Sequence, residues 1–145
     1  AECHLRIFSL SSKSDELDRE TRNMAALLSK FRIDFQDVTV IPDITKKAGS
    51  EVRSELDEII AKIDPEISEA ELLAHKEKTN RHLRLTEILR EQSRKSEMIV
   101  MTLPMPRRGA TVPQLYMSWM ELMTRDMPPF LLVRGNQTSV LTFYS

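Results

Sequence analysis

Met98-Ile99-Val100-Met101-Thr102-Leu103 is the stretch that decides the fold. An unbroken apolar run of this length is strand-sized, and it reads as a central parallel strand buried on both faces. The chain on either side has helical character. Downstream, Pro104 to Gly109 loops out, Pro113 suits the first turn of a helix, and the helix continues to about Asp126. Phe130 to Arg134 is the next strand. Gly135-Asn136-Gln137-Thr138 then turns the chain into a last strand over Val140, Leu141, Phe143 and Tyr144. A turn this short joins only antiparallel neighbours.

Upstream, Cys3 to Leu10 reads as the first strand, followed by Ser11, Ser12 and Ser14 as cap candidates. From Leu17 a stripe through Thr21, Met24, Ala25, Leu28 and Phe31 has helical period. Val38, Val40 and Ile41 form a second strand that stops at Pro42. Ser50 can cap a helix whose inner face is Val52, Leu56, Ile59, Ile60 and Ile63, ended by Asp64-Pro65. Ser68 opens a helix to about Lys95, amphipathic at its ends but polar from Ala74 to His82. At 1.5 Å per residue it spans roughly 40 Å, more than one sheet face covers, so part of it should project or kink.

This alternation predicts an α/β fold, a three-layer Rossmann-like arrangement with helices on both faces. The expected sheet is mostly parallel and five-stranded, in order 2-1-3-4-5 with the last strand an antiparallel edge. Residues 1–145 read as one domain, with a helical insertion over about 44–96.

Composition narrows the function. The chain has 145 residues, 30% of them charged, with a formal net charge of −1. A nucleic-acid binder needs a basic excess to displace counterions from phosphates, so no nucleic-acid partner is expected. The lone Cys3 forms no internal disulfide and points to a reducing compartment. No run approaches the length of a membrane-spanning helix, and Ala1-Glu2-Cys3-His4 lacks the features of a signal peptide. This piece is therefore expected to work in water without inserting into a membrane. Ala1 in place of an initiator Met suggests an excised segment of a longer chain.

Catalytic equipment is missing from the pattern. The turn after the first strand, Ser9-Leu10-Ser11-Ser12-Lys13-Ser14, has no glycine to let backbone approach a pyrophosphate. His75 and His82 lie seven apart, whereas helical zinc ligands usually sit four apart, and Lys76, Lys78, Arg81 and Arg84 surround them with positive charge. No GxSxG elbow occurs, and no cysteine is placed with a histidine as its base. No enzyme, cofactor or metal is expected. Arg107 and Arg108, beyond the third strand, are anion-site candidates, although paired loop arginines are most often solvated. The helix after Pro113 carries Leu115, Trp119, Leu122 and Met123 in one stripe, widened by Tyr116, Met117, Met120 and Met127. A helix on one sheet face needs only a ~100° stripe. Tyr116, Trp119, Met120, Met123 and Met127 are therefore candidates for a partner interface, the alternative being a neighbouring helix of the same domain.

Several blocks resemble the distal cytosolic domain of cation-chloride cotransporters. They are Leu27-Leu28-Ser29-Lys30-Phe31-Arg32-Ile33-Asp34-Phe35, Ile99 to Pro104, Leu115-Tyr116-Met117-Ser118-Trp119 and Pro128 to Gln137. The closing Leu141-Thr142-Phe143-Tyr144-Ser145 is more similar to the sodium-potassium-chloride branch than to the potassium-chloride branch. The resemblance implies electroneutral symport of chloride with sodium and potassium by a full-length protein of the plasma membrane. This piece would then be a cytoplasmic carboxyl-terminal regulatory and dimerisation module. Its implied partners are the other subdomain, a second protomer and the transmembrane domain of its own chain. The ion sites and the nucleotide site of the family lie elsewhere. Two departures stand out: Ser9-Leu10-Ser11-Ser12 replaces a Gly-Gly pair, and the region from Ile63 to Ser68 is shorter than in many relatives. The alternative is a soluble nucleotide-binding regulator of universal-stress-protein type.

Overall fold

The reading of residues 98–103 as a strand holds, but only one of its faces is covered. The computed structural model describes residues 2–11, 15–136 and 138. Its elements run β1 (Arg6–Leu10), α1 (Leu17–Lys30), β2 (Asp37–Ile41), α2 (Ser50–Ile63), α3 (Glu69–Ala74), α4 (Lys76–Ser93), β3 (Ile99–Thr102), α5 (Pro113–Thr124) and β4 (Phe130–Val133). The chain is an α/β protein. Its described strands pair as two parallel ladders, β1 with β2 and β3 with β4. Of the expected sheet order, neighbours 2-1 and 3-4 are present. The expected strand over 140–144 lies outside the described residues.

The described chain divides into two compact units: residues up to Ile44 build the first and Thr45–Gly135 the second. In the first, α1 crosses between the parallel strands β1 and β2, and Ser11 closes the strand end by donating its N–H to the Ile41 carbonyl at 2.9 Å. The Ser11 hydroxyl donates to the Glu20 carboxylate at 3.1 Å, while Ser12 to Ser14 lie outside the described residues.

The second unit holds the larger core. Val52, Leu56, Ile59 and Ile60 of α2 meet Leu83 of α4 and Leu115, Trp119 and Leu122 of α5, with Ala48 closing one end. The spacing of these residues places each set on one helical face. The expected long helix is broken at His75 into α3 and α4. Ser68 caps α3 in a reciprocal box: its Oγ accepts from Glu71 N–H at 3.2 Å, and its own N–H donates to Glu71 Oε2 at 3.3 Å. At α2 the cap position belongs to Gly49, and Ser50 is already helical. The Gly49 N–H is satisfied instead by Glu87 Oε1 of α4 at 3.0 Å.

The inward side of α4 is polar at several positions, and three of these residues bond to named partners. Asn80 Oδ1 accepts from Ala48 N–H at 2.9 Å, and its Nδ2 donates to the Lys46 carbonyl at 2.8 Å, pinning the approach to α2. The fully buried Thr86 donates to the His82 carbonyl at 3.0 Å. Arg90 grips Glu55 of α2 in a bidentate pair at 2.7 and 2.8 Å. Such fork-to-fork contacts are stronger than neutral hydrogen bonds and fix orientation as well.

In the β3–β4 ladder, Val100 lies beside Leu131 and Thr102 beside Val133. Val100, Leu131 and Val133 are 57%, 51% and 44% exposed, whereas Ile99, between two outward neighbours, is buried. The expectation of burial on both faces is thus corrected. An unbroken apolar run cannot distinguish two covered faces from one covered and one bare apolar face.

The hydrogen bonds from Arg90 hold the Glu55 carboxyl below its ordinary range, despite the opposing effect of burial. Because the folded pKa lies below the unfolded one, this stabilisation is complete above the unfolded pKa and disappears as pH falls through the folded value. Glu55→Gln should cost about 1–2 kcal/mol at neutral pH by thermal or urea unfolding. The gap to wild type should close in acid.

Candidate functional site

The loop beyond β3 is held in place by both neighbouring helices. Gly109 takes a left-handed conformation (φ 74°), which glycine adopts without steric cost, and the Ala110 N–H donates to the Arg107 carbonyl at 3.0 Å. From α5 the Tyr116 hydroxyl donates to the Pro104 carbonyl at 2.9 Å, and from α4 the Lys78 ammonium donates to the Ala110 carbonyl at 3.3 Å. Between loop and helices lies a cleft of about 330 Å³. Lys78 and His82 of α4, Arg107 of the loop, and Tyr116 and Trp119 of α5 contribute to its walls. Among the described residues that line it, none is acidic.

Two rings form one wall. His82 stacks on Trp119 with centroids 4.4 Å apart and planes inclined by 15°. His82 Nδ1 and Trp119 Nε1 are both buried and have no hydrogen-bond partner. An unsatisfied buried polar group costs about 1–3 kcal/mol, so two in one wall are unusual. Burial also lowers the His82 pKa to about 4, which keeps the imidazole neutral at physiological pH. Sequence periodicity places His82 in the polar stretch of its helix. Its stacking partner comes from a helix more than thirty residues away, which local pattern does not reveal.

The candidate residues from the sequence divide clearly. Arg107 lines the cleft, and Arg108 is not among its described lining residues. Trp119 and Met123 are buried at 3% and 1% exposure, while Tyr116, Met120 and Met127 are partly buried. Tyr116 and Met120 pack against the α2–α4–α5 core, so much of the second apolar side of α5 is covered within its own unit. Met117 is the large apolar residue that α5 exposes most. His75 sits at the break between α3 and α4, apart from the His82–Trp119 pair. Among the described residues no group of His, Cys, Asp and Glu is gathered to hold a metal ion. A second, larger cleft of about 840 Å³ has Lys47, Arg53, Lys76 and Arg81 around Asn80, with Glu77 as its acidic member.

No helix among the described residues is long and apolar enough to cross a membrane. The second unit offers a basic cleft, an exposed apolar sheet face and a buried helical core. Comparison with known proteins supplies the family. The pattern of Solute carrier family 12 matches residues 1–145, and the chain belongs to that family. It is 49% identical to a bumetanide-sensitive sodium-(potassium)-chloride cotransporter of Manduca sexta over 152 aligned positions, which cover all of this chain and 14% of the relative. It is 43% identical to Solute carrier family 12 member 2 of Danio rerio and of Homo sapiens, covering 99% of this chain and 14% and 13% of those proteins. The chain therefore spans about one seventh of the length of these relatives.

The depressed His82 pKa makes a signed prediction. Below its ordinary value of 6.5 the unfolded chain takes up a proton that the folded chain refuses until about pH 4. Stability should fall by roughly 2–3 kcal/mol between those limits and level off beneath them. His82→Phe retains a stacking ring and removes the titration. Urea unfolding across that pH range should show this component in wild type and not in the variant.

Proposed function

We propose that this chain is a cytosolic carboxyl-terminal regulatory and dimerisation module of a sodium-potassium-chloride cotransporter. The full-length protein would carry chloride together with sodium and potassium across the plasma membrane. The observation that carries this reading is similarity along the whole chain, at 49% identity, to one seventh of a protein named for that transport. The ion pathway would lie in the remaining length, and this piece would act through its surfaces.

The bare apolar face of β3 and β4 supports such a role. Exposed apolar patches on soluble units commonly mark contact sites. Val100, Leu131 and Val133 form one here, and Met98, 56% exposed, immediately precedes β3. The occupants proposed are the other subdomain, a second protomer or the membrane domain of the same protein. Met120 and Met127 can extend a contact where they remain accessible, and methionine adapts its shape to a partner. Trp119 and Met123 would support the surface from inside. A contact of this kind regulates transport when it is stronger in one conformation than in another.

Two kinds of substitution separate surface from support. In the full-length cotransporter, Val100→Lys with Leu131→Lys should leave the module folded and lower dimer stability or chloride flux by roughly tenfold, equivalent to about 1–2 kcal/mol of lost apolar contact. Trp119→Ala should instead destabilise the module itself, by about 3–5 kcal/mol on unfolding. Unchanged assembly and flux in the folded lysine variant would refute the role given to the sheet face.

A further inference from the structure

Beyond the part this chain plays in a transporter, the cleft between α4, the 104–111 loop and α5 has the chemistry of a ligand site. Its charge is one-sided: Lys78 and Arg107 approach from separate elements, and no carboxylate stands among the described lining residues. Both cations are on exposed residues, so on their own they would be ordinary solvated charge. What distinguishes the place is the inner wall. Trp119 is 3% exposed, lines the cleft, and keeps an indole N–H without an acceptor. The stacked His82 adds a second ring nitrogen that also lacks a partner. The two rings together close the inner end of the cleft with an aromatic wall.

We propose that this cleft binds a small phosphorylated molecule, its phosphoryl oxygens held by Lys78 and Arg107 in front of the stacked rings of Trp119 and His82. Arginine presents its N–H groups in a fork that matches phosphate oxygens, and lysine adds a mobile point charge. The volume of about 330 Å³ lies at the lower end of the range for small-molecule sites, roughly 300–1,000 Å³. That is more room than a bare phosphate fills, and Pro104, Met105, Pro106 and Tyr116 supply apolar wall for the rest of the molecule. The loop is already anchored at both ends by Tyr116 and Lys78, so little ordering remains to be done on binding.

The chain contains one tryptophan, so its fluorescence reports the proposed site without a label. The test titrates the chain with inorganic phosphate and with phenyl phosphate at constant ionic strength set by sodium chloride. Saturable changes in Trp119 emission are expected, tighter for phenyl phosphate because it also meets the apolar wall. Arg107→Gln and Lys78→Gln should each weaken binding by about tenfold, the order of one charge-assisted contact. Arg108→Gln, which changes a neighbouring cation outside the described lining, should leave binding as in wild type. A response that never saturates, or that sodium chloride alone reproduces, overturns the site. Equal losses in the Arg107 and Arg108 variants would reduce it to general surface charge and overturn it as well. Saturation by acetate as tight as by phosphate would overturn the phosphoryl assignment.

Discussion

The second unit depends on one act of burial, the insertion of Trp119 between α2 and α4. Trp119 sits with Leu115 and Leu122 on α5, and their counterparts are Val52, Leu56, Ile59 and Ile60 on α2 and Leu83 on α4. Large apolar side chains sealed in this way contribute more to stability than any pair on the surface. The consequences extend outward from the ring. Its face fixes His82, and burial of His82 lowers that imidazole's pKa to about 4. The turn of α5 that carries Trp119 also carries Tyr116, which tethers the loop after β3. Packing, electrostatics and the shape of the cleft therefore share one origin.

Much of this was legible in the sequence, and the exceptions have physical causes. The period of Val52, Leu56, Ile59 and Ile60 locates α2 and its buried face together. The run from Met98 locates β3, and Pro113 opens α5 as expected. The break at His75 was legible only as an excess of length. The inner side of α4 was obscured because Asn80, Thr86 and Arg90 occupy it, each polar and each bonded to a partner distant in sequence or one turn back. Hydrophobic periodicity cannot register a polar residue that is buried because it is paired.

The candidate site shows the same division between local and distant information. Arg107 was visible as a loop cation at the carboxyl end of a strand, the usual ligand end of an open α/β sheet. Nothing in the local sequence separated it from Arg108, and only the fold turns one of the two toward the rings of α4 and α5. The wide apolar surface of α5 was visible too, but sequence left two coverings open. The structure provides one from its own chain, with α2 and α4 against α5. The apolar surface left exposed belongs instead to β3 and β4, where the sequence implied burial on both sides.

The central claim is that α5 is sealed by helices of its own unit. Acrylamide quenching of the sole tryptophan, followed across a dilution series, tests it most directly. The account predicts blue-shifted emission and weak quenching that do not change as the protein is diluted. Quenching that approaches that of free tryptophan, or that rises on dilution as a partner dissociates, would contradict it.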